Sequence, residues 1–138
     1  MAKASATIEI PATADQVWQL IGGFNSLPDW LPLIAKSEPG EGGRVRHLET
    51  GDGTVIIERL QTFDDQARTY TYSIDQGPFP VTDYLAKVQV RQMAGKQMTQ
   101  VEWSGSFTPA GVTDAEAVEL FSGVYSGGLE ALKANFPD

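Results

Sequence analysis

The sequence predicts an α+β fold: a curved seven-stranded antiparallel sheet, two short helices and a long C-terminal helix enclosing a cavity. Three observations carry this. Hydrophobic alternation of period two runs from about residue 33 to 108. A strand and two helix starts precede that block. A capped amphipathic segment follows it.

Ala4, Ala6, Ile8 and Ile10 alternate with Ser5, Thr7 and Glu9, as in a half-buried strand that Pro11 ends. Thr13-Ala14-Asp15-Gln16 reads as a capping box, with Val17, Trp18, Leu20 and Ile21 on the apolar face and Gly22-Gly23 as the stop. Ser26 is the expected N-cap of a second, very short helix before Trp30 and Leu31, with Pro28 in its first turn and Pro32 ending it. Six strands are expected at roughly 33–39, 43–50, 54–63, 68–76, 81–93 and 97–108, joined by short Gly-, Asp- or Pro-bearing turns. Thr113-Asp114-Ala115-Glu116 is a further capping box, opening a helix to about Asn135. Val118, Phe121, Val124, Tyr125, Gly128, Leu129, Leu132 and Phe136 fall on one side of it. A helix that long, laid across a curved sheet, leaves a space beneath it.

The 138 residues fit one domain spanning 1–138, with a core large enough to need no staple. Cysteine is absent and His47 is the sole histidine, so thiolate chemistry and His/Cys metal sites are excluded; no metal and no cofactor are expected. Ten Lys and Arg stand against 18 Asp and Glu, a net charge of −8 that disfavours nucleic acid as a partner. No apolar run approaches the ~20 residues of a membrane span. The N-terminus lacks the apolar stretch of a signal peptide, so a cytoplasmic location is expected.

Register narrows the cavity wall. Thr50-Gly51-Asp52-Gly53-Thr54 reads as a three-residue hairpin loop with Gly53 left-handed. Arg46 then faces Glu58 and Leu48 faces Ile56, while His47 faces Ile57 on the solvent side. Arg46 and Glu58 are either a surface ion pair or a polar anchor among apolar groups inside the cavity. Ala94-Gly95 reads as a two-residue turn between Met93 and Lys96, which pairs Val88 with Val101, Ala86 with Trp103 and Tyr84 with Gly105. Gly123, Gly127 and Gly128 in one helix imply close packing on the sheet, room for a ligand, or a contact between subunits.

The chain resembles the START-like, or SRPBCC, superfamily with its helix-grip fold, and within it the bacterial polyketide cyclase/dehydrase-like group. The resemblance rests on Ile8-Glu9-Ile10-Pro11-Ala12 with Val17-Trp18, Leu27-Pro28-Asp29-Trp30, Gly43-Arg44-Val45-Arg46 and Glu58-Arg59-Leu60. Arg68-Thr69-Tyr70-Thr71-Tyr72, Gly77 through Val81 with Tyr84, and Val101-Glu102-Trp103 complete it. It implies an internal apolar cavity, and loops that gate it.

The expected function is binding of a small, largely apolar molecule (lipid-like, aromatic or polyketide-like) by a carrier or sensor, monomeric or homodimeric. Trp18, Trp30, Ile56, Leu60 and Phe79 would supply contact area, as would Val88, Val101, Trp103, Phe121 and Tyr125. Arg46, Glu58, Tyr72 and Tyr84 would supply directional contacts. The entrance is expected between loops 50–54 and 76–81, with Phe79 as a lid. A second reading is a cyclase or dehydratase: Glu58 would move a proton beside a carbonyl while Arg46 and Tyr72 hold the enolate. A third is a structural or partner-binding domain whose cavity is filled by side chains.

Overall fold

The computed structural model describes residues 2–95 and 97–136. The elements run β1 (Ala2–Ile10), α1 (Ala14–Ile21), β2 (Ile34–Gly40), β3 (Val45–Thr50), β4 (Val55–Asp64), β5 (Thr69–Gln76), β6 (Val81–Gln92), β7 (Thr99–Pro109) and α2 (Asp114–Lys133). Single 3-10 turns cover Leu27–Asp29 and Glu41–Gly43. The seven strands form one antiparallel sheet in the order β1-β7-β6-β5-β4-β3-β2. No helix is long and apolar enough to cross a membrane among the described residues.

Both expected capping boxes form. Thr13 accepts from the Gln16 amide while the Gln16 side chain accepts from the Thr13 amide, and Thr113 and Glu116 do the same for α2. The second short helix is only the Leu27–Asp29 turn, and Ser26 makes no side-chain cap to it. Pro28 at the start and the turn's brevity leave no second turn of helix to cap. Helix α2 buries Ala117, Phe121, Tyr125, Gly128, Leu129 and Leu132, with Val118 and Val124 at the edges of that stripe, while Phe136 packs on the core from beyond the helix end.

The β3–β4 register is the expected one: Arg46 pairs with Glu58, Leu48 with Ile56 and His47 with Ile57. Gly53 adopts φ +89°, which closes the 50–54 loop. The β6–β7 register differs. Val88 pairs with Trp103, Ala86 with Gly105 and Val90 with Val101. Met93 donates to the Met98 carbonyl at 2.9 Å, so the connection is longer than a two-residue turn. Lys96, the expected turn flank, lies outside the described residues. The slip is two positions, and with a side-chain period of two it leaves every residue on its expected face.

Four register shifts interrupt the described strands, none of them expected from the sequence, and two lie beside interior aromatic residues. One, between Leu60 and Thr62 of β4, inverts the strand's parity, so that Phe63, although 47% exposed, lies on the side of Trp18 and Tyr70 and packs against both rings. The other, between Thr82 and Leu85 of β6, places Asp83 at φ +53°, while Tyr84 keeps the buried face of Ala86, Val88 and Val90.

Glycine has a steric role at two inner positions. A Cβ at Gly128 would lie 2.5 Å from Trp103 Cζ3, so α2 approaches the sheet through that residue. Gly105 on β7 leaves the space that the Tyr125 hydroxyl fills. Gly123 and Gly127 face open space. Close packing therefore accounts for Gly128 alone of the three.

Candidate functional site: a small apolar cavity with a buried ion pair

A cavity of about 70 Å³ lies between the sheet and α2. Leu27, Leu31 and Leu33 close it from the segment between α1 and β2, and Ile34, Leu48, Ile56 and Ile74 from the sheet. Phe79, Phe121 and Val124 form the opposite wall. Its polar lining comes from Arg46, Glu58, Tyr72, Tyr84 and Trp103. The volume admits a few waters, far below the ~300–1,000 Å³ of a pocket for a drug-sized molecule.

Arg46 is 1% exposed and Glu58 7%. Arg46 Nε donates to Glu58 Oε1 at 2.8 Å, and Nη2 lies 2.6 Å from the same oxygen. Nη1 donates to the Phe24 carbonyl at 2.7 Å. The guanidinium also sits 4.1 Å from the Phe24 ring centre and 4.9 Å from that of Tyr72. Every nitrogen of the cation is thus engaged. Among the described residues no group bonds Glu58 Oε2. Burial pushes the Glu58 carboxyl above its ordinary range, and the Arg46 charge pulls against that. Burial also opposes the charge on Arg46, but the Glu58 carboxylate outweighs it and keeps the guanidinium protonated.

The aromatic hydroxyls form a second network. Trp103 Nε1 donates to Tyr72 Oη at 3.0 Å, and the Tyr84 and Tyr125 hydroxyls bond to each other. Burial raises the pKa of Tyr70, Tyr72, Tyr84 and Tyr125, so all four stay neutral hydroxyls.

Eight of the fourteen residues expected at the site line this cavity: Arg46, Ile56, Glu58, Tyr72, Phe79, Tyr84, Trp103 and Phe121. Six do not. Trp18 packs beyond it, with its indole donating to Asp65 Oδ1 at 2.7 Å and its ring near Phe63 and Tyr70. Trp30 lies edge-on to Trp103, and Tyr125 packs on the same Trp103 ring with centres 4.8 Å apart. Val88 and Val101 are fully buried in the packed part of the sheet, and Leu60 is half-buried opposite Tyr72. Aromatic rings fill that part of the interior and confine the space to one end. The sequence reading missed Leu27, Leu31 and Ile34, although their i, i+4, i+7 spacing marks one face. The Phe24 carbonyl, a backbone acceptor, left no signal.

An open groove of about 500 Å³ lies outside, between Pro32-Leu33, the 50–54 loop and Pro78-Phe79. Leu33, Ile56 and Phe79 line both spaces, so they form the partition between groove and cavity. Phe79 rests against Phe121 with ring centres 5.2 Å apart.

A long helix laid over a curved seven-stranded antiparallel sheet, with a cavity between them, defines the helix-grip class. The chain belongs to the family described as polyketide cyclase / dehydrase and lipid transport, whose model matches residues 1–137. It is similar to the protein XoxI from Bacillus cereus, at 57% identity over 99% of this chain and 96% of that one, with a TM-score of 0.95. A protein from Bacillus thuringiensis is 55% identical over 99% of this chain and all of that one, with a TM-score of 0.96. A START superfamily protein from Mycobacterium smegmatis shares the fold at 17% identity, covering 99% of this chain and 97% of that one, with a TM-score of 0.80. No curated protein matches the chain.

Proposed function

We propose that the protein binds a small, largely apolar molecule, as a carrier or sensor, in the cavity enlarged by outward movement of Phe79. The observation that carries this is the Arg46–Glu58 pair on the wall of an otherwise apolar space. Desolvating two charges costs several kcal/mol each, and well-packed apolar residues of like volume are often as stable or more so. A pair held there at that cost fits recognition better than stability. The outer groove supplies the volume that the inner cavity lacks, and Leu33, Ile56 and Phe79 line both.

The family description and one observation favour a second reading, acid–base catalysis on a polyketide-like substrate. Glu58 has a raised pKa and an oxygen that no described group bonds, and its diagonal neighbour Tyr72 lines the same cavity. Glu58 would take the proton and Tyr72 would donate to the carbonyl oxygen.

Native mass spectrometry of the purified protein tests the first reading. A retained small molecule, or saturable uptake of naphthalene, supports it. Neither one, together with an unchanged melting temperature in the presence of apolar probes, would leave the filled-cavity reading.

A further inference from the structure

We infer that the polar end of the cavity selects a neutral hydroxyl group, as in a phenol, enol or alcohol, and rejects a carboxylate. This rests on the ligand-binding reading above. It follows from one acceptor and one donor, on neighbouring strands, that no described group uses.

Glu58 directs one oxygen to Arg46, through both Nε and Nη2, and no described group bonds the other. That oxygen is a charged acceptor. Tyr72 Oη accepts from the Trp103 indole, and no described group accepts its own proton. That proton is a neutral donor. Glu58 pairs across the strands with Ile74, and Tyr72 is two residues from Ile74 on the same face. Acceptor and donor are therefore diagonal neighbours on adjacent strands, within reach of one small group between them. A hydroxyl satisfies both: its oxygen accepts from Tyr72 and its proton goes to Glu58 Oε2. An ether or ketone accepts but leaves Glu58 unbonded. A carboxylate brings a second negative charge beside Glu58 in a desolvated space.

The obvious counter-argument is Arg46, which ordinarily favours anions. Here the guanidinium is enclosed: its exposure is 1%, three of its five N–H groups go to Glu58 and the Phe24 carbonyl, and the Phe24 and Tyr72 rings lie against it. Its charge is already matched by Glu58. Arg46 positions the acceptor and does not itself meet the ligand.

Four probes of one shape test this by calorimetric titration at pH 7: 2-naphthol, 2-methoxynaphthalene, 2-naphthoate and naphthalene. The expected order puts 2-naphthol at least tenfold tighter than each of the others, with 2-naphthoate weakest. Glu58→Gln turns the free acceptor into an amide donor, because its carbonyl oxygen stays on Arg46. The preference for 2-naphthol over 2-naphthoate then falls by tenfold or more. Tyr72→Phe removes the donor and weakens 2-naphthol and 2-methoxynaphthalene while sparing naphthalene. If naphthalene binds and 2-naphthoate matches or exceeds 2-naphthol, the inference is overturned while the pocket stands. Equal affinity for 2-naphthol and naphthalene overturns it as well. Failure of all four probes to bind overturns the pocket reading and this inference together.

Discussion

Arg46 and Glu58 face each other across β3 and β4, and two guanidinium nitrogens converge on one carboxylate oxygen. The relationship is asymmetric: the cation is enclosed, while the anion keeps an oxygen free. A pair built for stability would bond both oxygens. This one holds Glu58 in place and leaves it able to act.

Removing one partner exposes that cost. Arg46→Met leaves a buried carboxylate without its cation and should destabilise the protein by about 3–5 kcal/mol. The double substitution Arg46→Met with Glu58→Leu should recover most of this, ending between neutral and about 4 kcal/mol more stable than the parent. Denaturant unfolding of the three proteins measures it. A double variant as unstable as Arg46→Met would make the pair structural.

The helix glycines separate by position. Gly128→Ala forces a Cβ into the Trp103 ring and should cost more than 1 kcal/mol, against the usual gain for glycine-to-alanine in a helix. Gly127→Ala and Gly123→Ala meet nothing and should each stabilise by roughly 0.5–1 kcal/mol. Thermal melts of the three single variants check the contrast, and a stabilised Gly128→Ala would contradict the close approach of helix and sheet.

How much of this was legible in the sequence depends on local signals. The Arg46–Glu58 pairing was readable because Gly53 fixes the 50–54 loop, and a short loop fixes register. The 93–98 connection was not, because Ala94-Gly95 fits a tight turn as well as the longer loop that forms. Side-chain faces survived because the slip was even. The bulges that bring Phe63 to the side of Trp18 and Tyr70 and set Asp83 at positive φ carry no glycine or proline to announce them. Cavity size was illegible for another reason: it depends on how Trp18, Phe24, Phe63 and Tyr70 pack together, which strand alternation does not encode.

The partition residue gives a kinetic prediction. Phe79 is half-buried, against Phe121 and between the two spaces. Phe79→Ala should raise both the on- and off-rates of naphthalene in stopped-flow measurements. Its stability cost should stay below the ~3–5 kcal/mol of a fully buried phenylalanine. Unchanged rates with a large loss of stability would make Phe79 a core residue and not a lid.

The 50–54 loop at the groove has its own pH signature. Hydrogen bonds from Thr50 and Thr54 lower the Asp52 carboxyl to about 2. An acid depressed in the folded state adds stability above its unfolded value, about 3.9, and that contribution is lost as pH falls through the folded value. The parent should therefore exceed Asp52→Ala in melting temperature above about pH 4 and converge on it towards pH 2. A difference that persists unchanged at pH 2 would show that the loop does not use the ionised carboxylate.

The most direct test of the account is where a bound probe sits. Nuclear Overhauser contacts between 2-naphthol and the protein, measured at saturation in solution, answer it. The account predicts contacts from the naphthol ring to Leu48, Tyr72, Phe79 and Phe121, with Phe79 displaced towards the groove. Contacts confined to residues outside the cavity, such as the exposed Leu85 on the other face of the sheet, would contradict it.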